Sequence, residues 1–243
     1  MIAGTLAFLD EPVDEPIQSR YDRGVRGIDV DVSISYLDGR SVQTGVVAGR
    51  VTEQQEDILI GDDSIDINTK KSETMAAAEW VADVQDDGWI LADRTHTTDD
   101  EHLPDWPFSQ FQQALGVEMR PMGIDVQEFV KNQREAGRDF SAEMATQKGS
   151  ESENVEINWG HKKVSNDDAL QSNVGCALTV NWEGTFQRLV VYESGYAAIW
   201  SAEDISAKVA RFVTEEIVPV AIPMHEVEQD SDDEDAVQTE VSG

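Results

Sequence analysis

Residues 28–51 read IDVDVSISYLDGRSVQTGVVAGRV, and the reading of this stretch decides the fold. Ile28, Val30, Val32, Ile34 and Tyr36 alternate with Asp29, Asp31, Ser33 and Ser35, the period of two that sets apolar side chains on one face of a strand. Asp38-Gly39 supplies a backbone that tolerates positive φ, and residues 42–51 return as the partner strand of a hairpin.

Working outward toward the C-terminus, a third strand is expected at residues 58–67, broken near Gly61. Ser72 then reads as the cap of a helix on which Met75, Ala78, Trp80, Val81 and Val84 recur at helical spacing until Gly88 stops it. Residues 89–91 make a short buried strand, and residues 94–106 a polar loop. Pro107 opens a short helix bearing Phe108, Phe111 and Leu115. Asp125, with Glu128 three residues on, caps a second helix that presents Val126, Phe129 and Val130 before Gly137.

Phe140, Ala142 and Met144 alternate, as do Val155, Ile157 and Trp159, which predicts another hairpin. Residues 174–182 and 186–192 flank the turn Glu183-Gly184, and a strand at residues 196–200 follows. A last helix opens at Ser201 and carries Ile205, Val209, Phe212, Val213 and Ile217 on one stripe to Pro219.

The expected fold class is therefore α+β, with mainly antiparallel sheets built from hairpins in two similar strand-strand-strand-helix units joined by a short helical segment. The expected organisation is a partly ordered lead at 1–27, a first unit at 28–106, a helical connection at 107–137, a second unit at 138–223 and a disordered acidic tail at 224–243. The shared element order of residues 28–88 and 174–218 suggests a duplication. Against it, hairpin plus helix is a common way to cover a sheet, and no residue identity extends beyond the turns.

Charge narrows the setting. The chain carries 49 Asp plus Glu against 18 Lys plus Arg, a formal net charge of -31 over 243 residues. Such self-repulsion opposes compaction in dilute buffer, but the Debye length falls to roughly 3 Å at 1 M salt. Acidic residues stud the expected strands and helices (Asp29, Asp31, Glu79, Asp83, Glu215, Glu216) as well as the tail. The expectation is a protein of a halophilic archaeon or its virus that requires high KCl or NaCl for stability.

The N-terminus lacks a basic region ahead of its apolar residues, and no apolar run approaches the roughly 20 residues of a spanning helix. A cytoplasmic location, or a virion after cytoplasmic assembly, is expected, with no membrane insertion. Cys176 stands alone in an apolar run, which reads as a small buried hydrophobe and excludes a disulfide framework and a Cys-based zinc site. No Gly-rich phosphate loop, nucleophile elbow or dinucleotide fingerprint occurs, so no cofactor is expected.

Four candidate sites remain. His96, Asp99, Asp100 and His102 combine imidazole and carboxylate in one loop, the donor set of a metal-dependent hydrolase; an acidic loop is also the ordinary surface of so acidic a chain. A nuclease-like arrangement at Asp62, Asp63 and Asp66 has Asn68 where the second carboxylate belongs, ahead of Lys70.

Arg20, Arg23 and Arg26 with Tyr21, and separately Lys162 and Lys163 after His161, are the compact basic groups, suited to phosphate contact and base stacking or to salt bridges with surrounding carboxylates. The net charge disfavours nucleic acid. Of six tryptophans, Trp106 lies in a loop with Phe108 where aromatics could anchor a protein partner or plug the core. The leading expectation is a non-enzymatic protein-interaction or assembly protein that binds a partner or itself, with the hydrolase and nucleic-acid readings as alternatives.

Overall fold

A computed structural model describes residues 2–36, 40–60, 65–85, 88–93, 106–138, 140–148, 155–159, 169–200 and 207–224. Its first strands are β1 (Ile2–Leu9), β2 (Arg20–Asp22), β3 (Arg26–Tyr36), β4 (Arg40–Ile60), β5 (Ile65–Asp83) and β6 (Trp89–Ala92). Helix α1 (Trp106–Leu115), β7 (Met119–Ile124) and α2 (Val126–Glu135) follow. Then come β8 (Phe140–Lys148), β9 (Val155–Trp159), β10 (Gly175–Trp182), β11 (Thr185–Tyr192) and β12 (Tyr196–Trp200). Helix α3 (Ala207–Phe212) runs on through a π-helical turn at Val213–Ile217 and a 3-10 turn at Val218–Val220 into β13 (Ala221–Pro223).

The expected α+β fold of two similar units is not what forms. The protein is mostly antiparallel β, on one sheet ordered β2-β3-β4-β5-β6-β1-β12-β11-β10-β8-β9, with β7 pairing β1 and β13. The central strand β1 joins the two halves by pairing β6 on one side and β12 and β7 on the other.

The main correction falls at residues 72–84, expected as a helix and found within β5. Met75, Ala78 and Val81 do fit a helical period, yet Ala76, Ala78, Trp80 and Ala82 fit a period of two and are all buried. Register with β4 (Ala77↔Ala48, Trp80↔Gly45) satisfies the backbone across the sheet. Burial on both faces near Trp80 and Val81 blurs the alternation that marks a strand. The strand expected at 58–67 is instead two strand ends, β4 closing at Ile60 and β5 opening at Ile65.

The opening strand also departs from simple alternation. A register shift between Val30 and Val32 turns the chain, so Ile28 joins one apolar cluster while Ile34 packs against the other. Val32, expected inside, is 45% exposed.

Alternation along β1 and β6 separates the two clusters onto opposite faces. Leu6, Trp89 and Leu91 pack with Phe129 and Val130 of α2 and Val209 and Phe212 of α3. Ala7, Leu9, Ile90 and Ala92 pack with Trp106, Phe108 and Phe111 of α1. Helices thus cover the β3–β5 half on one face and the β10–β12 half on the other, overlapping at β1 and β6.

Several local readings hold. Asp125 Oδ1 accepts the Glu128 backbone N–H at 2.8 Å and caps α2. Glu183 and Gly184 turn with φ of 46° and 74° between Trp182 and Thr185, the mirror-image turn that suits a twisted hairpin. Cys176 is fully buried.

Candidate functional site

The β2–β3 hairpin folds because Arg20, Tyr21 and Asp22 pair with Ile28, Gly27 and Arg26. It lies against the C-terminal end of α1, which has no basic residue in its own last turn. Arg20 Nη1 donates to the Ala114 carbonyl and Arg26 Nη1 to Gln113 Oε1. Cations at this end complement the helix dipole, so the hairpin supplies what the helix lacks.

Between hairpin and helix lies a cleft of about 230 Å³, lined among others by Arg20, Tyr21, Arg26, Gly27, Gln110 and Gln113. Tyr21 is 72% exposed on its lip. Its hydroxyl donates to Asp29 Oδ1, which also accepts from Ser19 Oγ at 3.3 Å. Donation to Asp29 holds the phenol pKa above its ordinary value, because ionisation would set two negative charges together.

The arginines of the cleft differ from others in the chain. Arg138 pairs with Glu216, Arg188 with Glu143 and Arg211 with Glu183 and Glu215. Arg50 reaches the same hairpin, donating from Nε to the Gly24 carbonyl at 3.1 Å while Nη1 pairs with Glu73. Arg20 and Arg26 instead donate to a carbonyl and an amide, neither of which neutralises a guanidinium.

Two glycines of β4 allow close approach near the cleft's Gln110 and beneath β3. A Cβ on Gly49 would meet Gln110 Cδ at 2.6 Å, so β4 admits α1 because nothing projects there. Gly45 is tighter, with the Asp29 carbonyl oxygen 1.8 Å from where its Cβ would sit.

Of the residues singled out in the sequence, Arg20 and Arg26 share this cleft, and Arg23 is exposed in the turn beside it. Lys162 and Lys163 lie outside the described residues, as do His96, Asp99, Asp100 and His102. Among the described residues, no group of three or more His, Cys, Asp or Glu is placed to hold a metal ion. Trp106 and Phe108 are 5% and 2% exposed, plugging the cluster beneath α1 and offering no surface to a partner. Gln110 and Gln113 carried no signal in the sequence, because an amide on a short helix has no motif.

A second feature stands apart from the cleft. β3 pairs with β4 only as far as Gly49, and β6 meets β5 only at Trp80–Asp83, yet β4 and β5 continue together from Arg50↔Met75 to Ile60↔Ile65. Eleven cross-strand pairs thus extend as a two-stranded ribbon with no third strand among the described residues. At about 3.4 Å per residue the ribbon is roughly 35 Å long. Its register sets Ile58 opposite Ile67 and Ile60 opposite Ile65 at the far end.

On the other half of the sheet, the face without helices carries Phe186, 61% exposed, and Trp200, 39% exposed. Arg188 lies over the Trp200 ring at 5.8 Å.

No protein-family model matches the chain, and no curated protein matches it in sequence. Among the described residues no helix is long and apolar enough to cross a membrane.

Proposed function

We propose that the chain is a non-enzymatic assembly protein of a high-salt setting, cytoplasmic or virion, that associates with copies of itself through the β4–β5 ribbon. One observation carries this reading: a ribbon of eleven pairs without a third strand among the described residues. A two-stranded hairpin alone is at best marginally stable in water, so a long one gains stability from what it docks on. The ribbon's far end is rich in isoleucine by sequence, at Ile58, Ile60, Ile65 and Ile67, and the exposed Phe186 and Trp200 face gives an apolar acceptor on the opposite half of a second copy. Such a contact joins two different patches and so builds rings or filaments.

Salt belongs to the same reading. Copies each carrying a net charge of -31 repel at long range in dilute buffer, and that repulsion is screened at multimolar salt while apolar contacts persist.

Sedimentation in multimolar KCl tests it. The full chain sediments as a defined oligomer, and both a variant with residues 53–72 replaced by a two-residue turn and Phe186→Ala sediment as smaller species. A strict monomer at all concentrations, or an oligomer indifferent to the ribbon, refutes the proposal.

A further inference from the structure

We propose that the cleft between the β2–β3 hairpin and the end of α1 binds a zwitterion, a free α-amino acid with an uncharged polar side chain. The site lies apart from the ribbon, and nothing in it depends on self-association.

The layout of charge is the first argument. Register sets Arg20 opposite Ile28 and Asp22 opposite Arg26, so these four side chains share one face of the hairpin. That face is turned to α1, because Ile28 is buried in the cluster beneath the helix. Two guanidiniums and one carboxylate therefore line one cleft, beside a helix C-terminus that adds a partial negative charge. The opposite signs stay apart: among the described residues Asp22 forms no ion pair, and neither do Arg20 and Arg26.

The unused hydrogen-bonding groups are the second. Arg20 is held by Nη1 on the Ala114 carbonyl and Arg26 by Nη1 on Gln113 Oε1, and among the described residues nothing takes their Nη2 or Nε. A carboxylate fits such a pair of parallel donors in shape as well as charge. Asp22, whose ionised oxygens only accept, takes an ammonium.

A molecule carrying both charges matches this layout, and one carrying a single sign does not. An anion gains the arginines but faces Asp22 and a net charge of -31, while a cation finds carboxylates over the whole surface and nothing to prefer here. A zwitterion has no net charge for that field to act on. Its contacts at hydrogen-bond distance lie within the roughly 3 Å Debye length of 1 M salt.

Room is the third. Gly27 lines the cleft although its φ is not positive, so the backbone alone does not call for glycine. A Cβ there would press on Tyr21 Cδ1 at 3.3 Å, and Tyr21 is itself a wall of the cleft, held by its hydroxyl on Asp29. At about 30 Å³ for one water in the liquid, 230 Å³ holds about eight such groups, more than glycine fills. Gln110 and Gln113 line the remainder, and Gln113 turns its oxygen to Arg26 and keeps Nε2 as a donor, which suits an uncharged polar side chain.

The test titrates the full chain, ¹⁵N-labelled in multimolar KCl, with L-asparagine. The Gly27 and Ala114 backbone amides and the Gln113 side-chain amide are expected to shift in a saturable way. N-acetyl-L-asparagine, which lacks the ammonium, and L-asparagine amide, which lacks the carboxylate, are expected to bind at least about tenfold more weakly, the loss of one charge-assisted hydrogen bond. This comparison is made on the native chain, so it stands whatever a variant does to the fold. Asp22→Asn is expected to narrow the gap between asparagine and its N-acetyl form, and Arg26→Gln to weaken both. Asp22 is exposed and Arg26 partly so, and an unchanged urea midpoint is expected for each variant.

No saturable shift with L-asparagine, equal affinity for either analogue, or a gap untouched by Asp22→Asn overturns the proposal. Glycine betaine binding as tightly as asparagine also overturns it, since a trimethylated ammonium donates no hydrogen bond to Asp22.

Discussion

Replacing Glu216 with alanine should be among the most damaging single changes in the helix-covered half of the sheet. Glu216 and Arg138 are 10% and 21% exposed, and Arg138 Nη2 donates to Glu216 Oε1 at 2.6 Å while Nη1 reaches Oε2. Gln133 Nε2 donates to Oε2 at 3.0 Å and Trp182 Nε1 to Oε1 at 3.1 Å. One carboxylate thus accepts from α2, from the chain leading to β8 and from β10. Truncation leaves a largely buried guanidinium and two buried neutral donors without it. Removing one partner of a buried pair costs about 3–5 kcal/mol.

Gln133 Oε1 still accepts from Arg138 at 2.7 Å, and Arg138 keeps some access to water, which places the loss near the lower figure, about 3 kcal/mol. For a chain of this size that lowers Tm by roughly 6–12 °C. Glu216→Gln retains an acceptor and should lose about half as much. The double variant Glu216→Leu with Arg138→Met should recover most of the stability, because no buried charge is then left unpaired. Urea unfolding at fixed multimolar KCl measures all of these. A loss below about 1 kcal/mol for Glu216→Ala, or a double variant no better than the single, refutes this account.

The other predictions are local. Gly45→Ala should destabilise by about 3 kcal/mol and Gly49→Ala by about 1, because the first meets the Asp29 backbone at 1.8 Å and the second the movable end of Gln110; the reverse order of urea midpoints would contradict it. The Tyr21 phenol should titrate above its ordinary value of 10.0 and fall in Asp29→Asn, read by ultraviolet absorbance. Because its folded pKa is raised, that hydrogen bond stabilises fully below the ordinary value and is lost as pH climbs through the raised one. Burial pushes the Cys176 thiol up to about 12, so a thiol reagent at neutral pH should modify it only after unfolding. Removal of salt should broaden or abolish the cooperative thermal transition, and a transition unchanged between low and multimolar salt would contradict the reading of the charge.

Where the sequence was legible, the signal was local. Turn chemistry at Glu183-Gly184, the Asp125 cap and the burial of Cys176 each follow from a few adjacent residues. What failed was the step from pattern to partner. Residues 75–84 satisfy both a helical and a strand period, and the choice is made by β4, whose Gly45 and Ala48 accept Trp80 and Ala77 across the sheet. β1 was equally hidden. Its run from Ile2 to Leu9 is buried on both faces, Leu6 toward one cluster and Ala7 toward the other, so it shows no alternation and resembles an unstructured apolar lead. β7 carries Pro121, a residue that does not mark a strand; only Met119–Pro121 pair with β1 and only Met122–Ile124 with β13, so the proline sits near a change of partner.

The candidate site was legible for a different reason. In a chain with 49 acidic residues a carboxylate cluster means little, whereas each place where one of 18 cations is kept says more. Among the described residues five arginines pair with a carboxylate, Arg50, Arg120, Arg138, Arg188 and Arg211. Arg20 and Arg26 do not, and that distinction could not be drawn from composition because it depends on what α1 presents: a carbonyl at Ala114 and an amide at Gln113. Trp106 shows the same limit from the other side. Its loop-like context of proline and aspartate suggested an exposed anchor, yet it opens α1 and its ring is buried beneath the helix. A helix that must cover a sheet with few apolar residues uses its largest ones inward, which leaves the ribbon and the cleft as the surfaces free to act on something else.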